Sequence, residues 1–236
     1  MYQDKWDACQ ASTQYQGSGS SHELASLLLT EVIQHSLHVA NKPLFFLALD
    51  AESAFDRCLR QILACELYKA GVKDAALTLI DTRLASRCTV YEWNKELLGP
   101  AADITGFEQG GINSSDFYKL YNNQQLDIAQ QSGLGVDLDS VVISAIGHAD
   151  DVILCSNNID SLRLLVTLTE VYCRKFRVKL VSSKTKLLAY TTPSKKHLVE
   201  LAKIVNPVTI HGQPVKFTTE VEYGVFSKTQ QTICPT

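Results

Sequence analysis

The stretch VVISAIGHADDVILCS, residues 141–156, constrains this chain more than any other. Two apolar runs rich in β-branched residues flank the adjacent acids Asp150 and Asp151, the pattern of a β-hairpin with carboxylates at its tip. Adjacent carboxylates repel each other, and a hairpin turn alone is better served by Asn-Gly. A divalent cation is therefore the natural reason to place them there, and a solvated acidic turn is the alternative. A third acid decides between the two. Asp50 closes LFFLALD, residues 44–50, whose apolar run makes a buried strand, and a carboxylate on such a strand is costly without a partner. With this strand beside the hairpin, Asp50, Asp150 and Asp151 converge and can hold two Mg²⁺ ions about 4 Å apart, an arrangement suited to phosphoryl transfer.

Length and composition place this centre in an ordinary globular setting. A chain of 236 residues, 45% hydrophobic and 20% charged, buries a sizeable core in one domain or slightly more. No run of 18 apolar residues occurs, and MYQDKWDACQ lacks the regions of a signal peptide, so a soluble intracellular protein without membrane contact is expected. Seven widely spaced cysteines without a CxxC argue against a disulfide framework and a zinc knuckle, and are expected as core thiols. His35 and His38 have no acidic or thiol partner nearby in sequence and are expected on the surface. The net charge of −3 is unevenly spread: residues 174–203 carry nine basic side chains against Glu200, a net +8 that leaves −11 elsewhere. This segment is either a cationic face beside the acidic centre or a solvated helix face.

Along the chain, a polar opening loop ends near Ser20. SHELASLLLTEVIQHSLHVA follows as a helix, with Leu24, Leu27, Leu28 and Leu37 near helical spacing and Ser20 or Ser21 with Glu23 as its starting signal. After the strand to Asp50, residues 51–71 read as an amphipathic helix with Phe55, Leu59, Ile62, Leu63 and Leu67 on one face and Gly71 as terminator. A helix over 73–85 and a strand SRCTVYEWN turning near Asn94 come next, with a partner around 101–105. GFEQGGINSS opens a further helix, capped by Asn113 and ending at Gly133. Beyond the acidic hairpin, residues 157–176 form a helix with Leu162, Leu165, Val166, Thr169, Tyr172, Cys173 and Phe176 inward. A short strand RVKL, a polar turn, the strand LLAY and a small β element over 207–227 complete the chain. The order strand, helix, hairpin, helix, strand is the βαββαβ pattern of a ferredoxin-like antiparallel sheet with helices on one face, an α+β fold whose two central strands carry the acids.

At this point four motifs in order resemble the reverse transcriptases of non-LTR, LINE-like retrotransposons: FFLALDAESAFD, GFEQGGINSS, GHADDVIL and VSSKTKLL. Weaker matches are QYQGSGSSHELASLLL upstream and VEYGVFSK, similar to a primer-gripping hairpin, downstream. The resemblance implies a polymerase palm with partial fingers. Residues 1–43 would be the partial fingers or pre-palm segment, 44–206 the palm, and 207–236 a primer-grip-like hairpin with a truncated end. It implies RNA-directed DNA polymerisation with two Mg²⁺ ions, or Mn²⁺ in their place, on an RNA template and a DNA primer with a dNTP as substrate.

Carried over residue by residue, Asp50, Asp150 and Asp151 would be catalytic and, with the backbone of Ala51, hold the metals. Phe55 would lie under the deoxyribose and exclude a 2′-hydroxyl; core packing is its other role. Gln109 and Gly110 would lie against the nucleotide and template, and Lys184 would approach the triphosphate. His148 stands where the family usually has Tyr or Phe. No fingers motif like YRPISL, thumb, endonuclease or zinc knuckle is found, so the chain reads as a piece of a longer polyprotein whose other domains are further expected partners. A remnant that folds and binds nucleic acid without polymerising is the alternative. A cytoplasmic or nuclear location follows from the family alone.

Overall fold

The computed structural model describes residues 22–108, 110–148, 150–191 and 207–218. In chain order its elements are α1 (His22–Gln34), β1 (Leu44–Leu49), α2 (Arg60–Lys69), α3 (Asp74–Ala85), β2 (Cys88–Trp93) and β3 (Glu96–Ala102). There follow α4 (Ser114–Gln131), β4 (Val136–Leu138), β5 (Val141–Ile143), β6 (Ala145–His148), β7 (Asp151–Ser156), α5 (Ile159–Phe176), β8 (Lys186–Tyr190), β9 (Thr209–Ile210), β10 (Gln213–Pro214) and β11 (Lys216–Phe217).

The main sheet has the order β11-β8-β1-β7-β6. Numbered by their place in the βαββαβ pattern, the four strands β8-β1-β7-β6 run fourth, first, third, second, each antiparallel to its neighbours among them, as a ferredoxin-like sheet requires. The short β11 adds a parallel edge beside β8. Strand β1 is buried along its whole length because both sheet faces are covered. Phe45, Leu47 and Leu49 point into a core shared with α2, α4 and α5, while Leu44, Phe46 and Ala48 point into a second core under α1. The helices that follow β1 and β7 thus share one face as expected, and α1, which precedes the first strand, covers the other. The near-continuous apolar run of residues 44–49 is the sequence mark of that double coverage.

Helix α5 matches its expected face residue for residue: all seven inward positions are buried, and the Asn158 side chain caps its N-terminus by accepting from the backbone N–H groups of Asp160 and Ser161. Other elements depart from the sequence reading. The buried face of α1 is Ala25, Leu29, Val32 and Ile33, continued by Leu37 in the π-helical turn His35–Val39, with Leu28 packed beside it; Leu24 and Leu27 face outward, so half of the expected leucine stripe points away from the core. The helix expected over 51–71 begins only at Arg60. Ser53 takes a positive φ, and the carbonyls of Phe55 and Cys58 accept from Phe107 and Gly106 instead of closing helical turns. RVKL is not a strand: Arg177 is the left-handed cap of α5, and Leu180 forms a single bridge to Ala51. The first apolar run of the acidic hairpin is divided at Ser144, with Val141–Ile143 pairing back to Val136–Leu138. The partner of β2 spans 96–102, and the Asn113 side chain makes no capping bond.

His35 is largely buried, 3.6 Å from Asp139, while His38 is exposed. Cys58, Cys155 and Cys173 are core thiols whose burial pushes their pKa upward, whereas Cys65 and Cys88 are exposed. The upstream motif match, the starting signal at Ser20 or Ser21 and the downstream VEYGVFSK lie outside the described residues. No helix among the described residues is long and apolar enough to cross a membrane.

Candidate active site

The acids meet where the two central strands end. The β1–β7 register runs from Phe45 opposite Ser156 to Leu49 opposite Val152, so one step further Asp50 stands across from Asp151. Across β6 and β7, His148 pairs with Asp151, which leaves Asp150 in the turn at the hairpin tip. All three carboxylates are half-buried. Asp151 has its pKa pushed up to about 7, first by burial and then by the charges of Asp150 and Asp50. Oxygen Oδ1 of Asp50 is buried without a hydrogen-bond partner, and the ammonium of Lys184 stands 3.7 Å from it.

These observations describe an oxygen-rich site short of positive charge. A buried carboxylate oxygen without a donor and a neighbouring acid held toward its protonated form are both relieved by a cation, and hard oxygen donors suit Mg²⁺. Among the described residues, no three His, Cys, Asp or Glu side chains are already drawn together into a metal cage. The acids therefore fit a cation in kind and in placement along the strands, without being gathered into a closed ligand set.

Of the expected nucleotide-binding residues, Lys184 and Ala51 stand at this strand end. Phe55 is half-buried with its ring tilted over Tyr118 at 4.8 Å and meeting the edge of Phe107 at 5.7 Å, so it is backed by aromatic packing while one side stays open. Loop crossings hold it there: Gly106, with φ +70, passes so close to Asp56 that a Cβ would come within 2.5 Å of its carbonyl oxygen. Arg60 clamps the same loop through the carbonyls of Thr105 and Gly106. Gly110 is exposed, with a left-handed φ of +85 and open space around its α-carbon. Gln109 lies outside the described residues. The Ala51 backbone adjoins the acids, in the bridge to Leu180.

Three residues near the centre escaped the sequence reading. Tyr118 is fully buried beneath Phe55, with a phenol pKa raised by burial and, among lesser causes, by the charge of Asp150. Glu52 pairs with Lys179 at 2.6 Å, and the Lys179 side chain, with lesser help from Arg57 and Lys184, holds its pKa below the usual carboxylate value against the opposing effect of burial. Thr185 is completely buried and bonds to the backbone of Asp50. No sequence signal connected Tyr118, Glu52 or Thr185 with the acids.

A ferredoxin-like sheet with one acid ending its first strand and two more at the adjoining hairpin defines a polymerase palm. Residues 8–220 match the reverse transcriptase (RNA-dependent DNA polymerase) family, and the chain belongs to that family. Over 161 residues, 65% of this chain, it is 30% identical to the Transposon TX1 uncharacterized 149 kDa protein of Xenopus laevis, of whose length it spans 12%. The family match and this transposon relative bear out the likeness to retrotransposon reverse transcriptases read from the four motifs. In fold it is similar to the apo telomerase of Candida tropicalis, with TM-score 0.57 and 12% identity over 82% of this chain and 36% of that one. The same enzyme in complex with the TWJ fragment of telomeric RNA gives TM-score 0.57 and 14% identity over 82% of this chain and 33% of that one.

Proposed function

We propose that this chain supplies the catalytic palm of an RNA-directed DNA polymerase, joining a dNTP to the 3′-hydroxyl of a DNA primer annealed to an RNA template. The observation that carries the reading is the strand register that sets Asp50 across from Asp151, with Asp150 at the adjoining tip and Lys184 at 3.7 Å from Asp50. Family membership and the fold shared with a telomerase solved with an RNA fragment support it.

In the reaction a bond forms between the primer 3′-oxygen and the α-phosphorus, the bond from that phosphorus to the bridging oxygen breaks, and pyrophosphate leaves. Asp50, Asp150, Asp151 and the Ala51 carbonyl would hold two Mg²⁺ ions, or Mn²⁺ in their place, which lower the pKa of the attacking hydroxyl and offset phosphate charge. Lys184, exposed and beside Asp50, reaches the leaving phosphates as counter-charge or proton donor. Phe55 presents its open side to the sugar and leaves no room for a 2′-hydroxyl, while Gln109 and Gly110 line the nucleotide and template. Residues 1–43 would act as partial fingers or pre-palm segment, 44–206 as palm and 207–236 as a primer-grip-like hairpin with a truncated end. The remaining domains of a longer polyprotein, of the size of the transposon relative, complete the template channel. Work on RNA templates places the protein inside the cell, in the cytoplasm, the nucleus or both.

Mg²⁺-dependent dTTP incorporation on oligo(dT)-primed poly(A), with Asp150→Asn alongside, tests the reading. Incorporation by the native chain that vanishes in the variant supports it. Equal incorporation by both removes the proposed centre, and none by either, in this chain and in one extended on both sides, favours a nucleic-acid-binding remnant.

A further inference from the structure

The turn that carries Lys184 is fastened to the very residue whose carboxylate Lys184 faces. Pairing of β1 with β8 ends at Ala48 opposite Lys186, so the same register carried two residues outward would set Asp50 across from Lys184. At that point the ladder gives way to a different set of bonds. The backbone N–H of Asp50 donates to the Thr185 hydroxyl at 3.4 Å, and that hydroxyl donates to the Val181 carbonyl at 2.9 Å. The Val181 N–H donates back to the Asp50 carbonyl at 2.9 Å, and the Glu52 N–H to the Lys179 carbonyl at 2.8 Å. Asp50 is thus held through both its backbone groups by the turn from Val181 to Thr185. Thr185 is fully buried, and its hydroxyl relays between the Asp50 backbone and that turn.

We infer that Thr185 is the positioning residue of this centre: its hydroxyl fixes the end of β1 against the lysine turn, and so sets where the Asp50 carboxylate and the Lys184 ammonium stand relative to each other. This rests on the metal-dependent reading of the acids given above. A strand end is where backbone order ordinarily frays, and a metal ligand placed there needs a support that the ladder no longer provides. A valine at position 185 keeps the shape but loses the hydroxyl, leaving the Asp50 N–H without its acceptor. The Val181 carbonyl keeps the N–H groups of Lys184 and Thr185, so the turn retains its own closure.

The test is the thermal unfolding midpoint of the native chain, Thr185→Ser, Thr185→Val and Asp50→Asn across a MgCl₂ titration, with amide exchange at Asp50 followed by NMR in parallel. Thr185→Ser, which keeps the hydroxyl, is expected to titrate as the native chain does. Thr185→Val is expected to need about ten to a hundred times more Mg²⁺ for half its stabilisation, the usual loss when a ligand's support is removed, and to exchange the Asp50 amide faster. A native-like Mg²⁺ titration in Thr185→Val overturns the positioning role while leaving the proposed centre standing. A native chain that gains no stability from Mg²⁺, or an Asp50→Asn variant that gains as much, overturns the metal reading itself and the role of Thr185 with it.

Discussion

Strand β1 and the β2–β3 hairpin both carry large apolar side chains, and they stand in opposite surroundings. Every residue of β1 is buried, between one core under α1 and another under α2, α4 and α5. In the hairpin, every β3 residue is exposed, and in β2 only Thr89 is even half-covered. Val90, Tyr91, Trp93, Leu97 and Leu98 all face water. The difference lies in partners, because β1 has a hydrogen-bonded neighbour on each side and a helical layer on each face, whereas the hairpin has only its own two strands. Stability is therefore concentrated where the acids are, and the hairpin can vary without disturbing them.

The sharpest way to probe that contrast is a cavity in β1. Leu47 is fully buried two residues from the end of the strand, and Leu47→Ala is expected to cost about 2–5 kcal/mol, transfer plus cavity, read as a lowered midpoint in urea unfolding. A loss below about 1 kcal/mol would mean that β1 is no better supported than the hairpin. Next in size is Phe55→Val. The ring leans on Tyr118 and Phe107, so shortening it opens space on its far side, where the proposed sugar would lie, without removing the layer behind it. Discrimination of dTTP against UTP should fall by about tenfold or more, a loss of about 1.4 kcal/mol or more in differential binding, with incorporation of dTTP retained. Unchanged discrimination would assign Phe55 to the core alone.

The same contrast separates what the sequence disclosed from what it hid. The apolar run ending in Asp50 and the alternation in α5 were legible because each buried face is written locally, in adjacent or helically spaced residues. The stripe of α1 misled at Leu24 and Leu27, which are as apolar as the residues that pack, and only the sheet decides which side is covered. The loop at 51–59 could not be read as a loop, since its helical pattern is overruled by backbone bonds to Gly106 and Phe107, some fifty residues away in sequence. Thr185 was hidden for the same reason: its role depends on a strand end that is distant in the chain. The acids, Phe55 and Lys184 stood out in the motifs, while Tyr118, Glu52 and Thr185 are tied to them only by contacts made across the fold.

A smaller effect should follow pH. Asp151 titrates near 7 in the folded chain, well above an ordinary aspartate, because burial and the charges of Asp150 and Asp50 oppose its ionisation. The folded state therefore binds a proton that the unfolded chain has already lost between about pH 4 and 7, and stability must fall as pH rises through that window. In chelator, the thermal midpoint should drop from pH 5 to pH 8. Added Mg²⁺ favours the ionised form, so its stabilisation should be larger at pH 8 than at pH 5. Asp150→Asn removes one of the opposing charges and should flatten the chelator profile. A midpoint in chelator that rises with pH would show that Asp151 is not held toward its protonated form.

The smallest effect is expected in the hairpin, where it bears on the comparison from the other side. Leu97 and Trp93 are 75% and 70% exposed, with Leu97 opposite Glu92 and Trp93 opposite Glu96 in the ladder. A side chain that is already in water loses almost no hydrophobic stabilisation on truncation, so Leu97→Ser and Trp93→Ser should each shift unfolding by no more than about 0.5 kcal/mol. Mg²⁺ titration of the thermal midpoint should be unchanged, because the hairpin is closed at its base by Arg87 and Thr89 on Asp103, with Arg87 also facing Glu108, away from both substituted positions. A loss above about 1 kcal/mol in either variant would show that the apolar hairpin is covered in solution. In that case its exposure belongs to the isolated chain, and β1 and β2–β3 differ in when they are buried instead of whether.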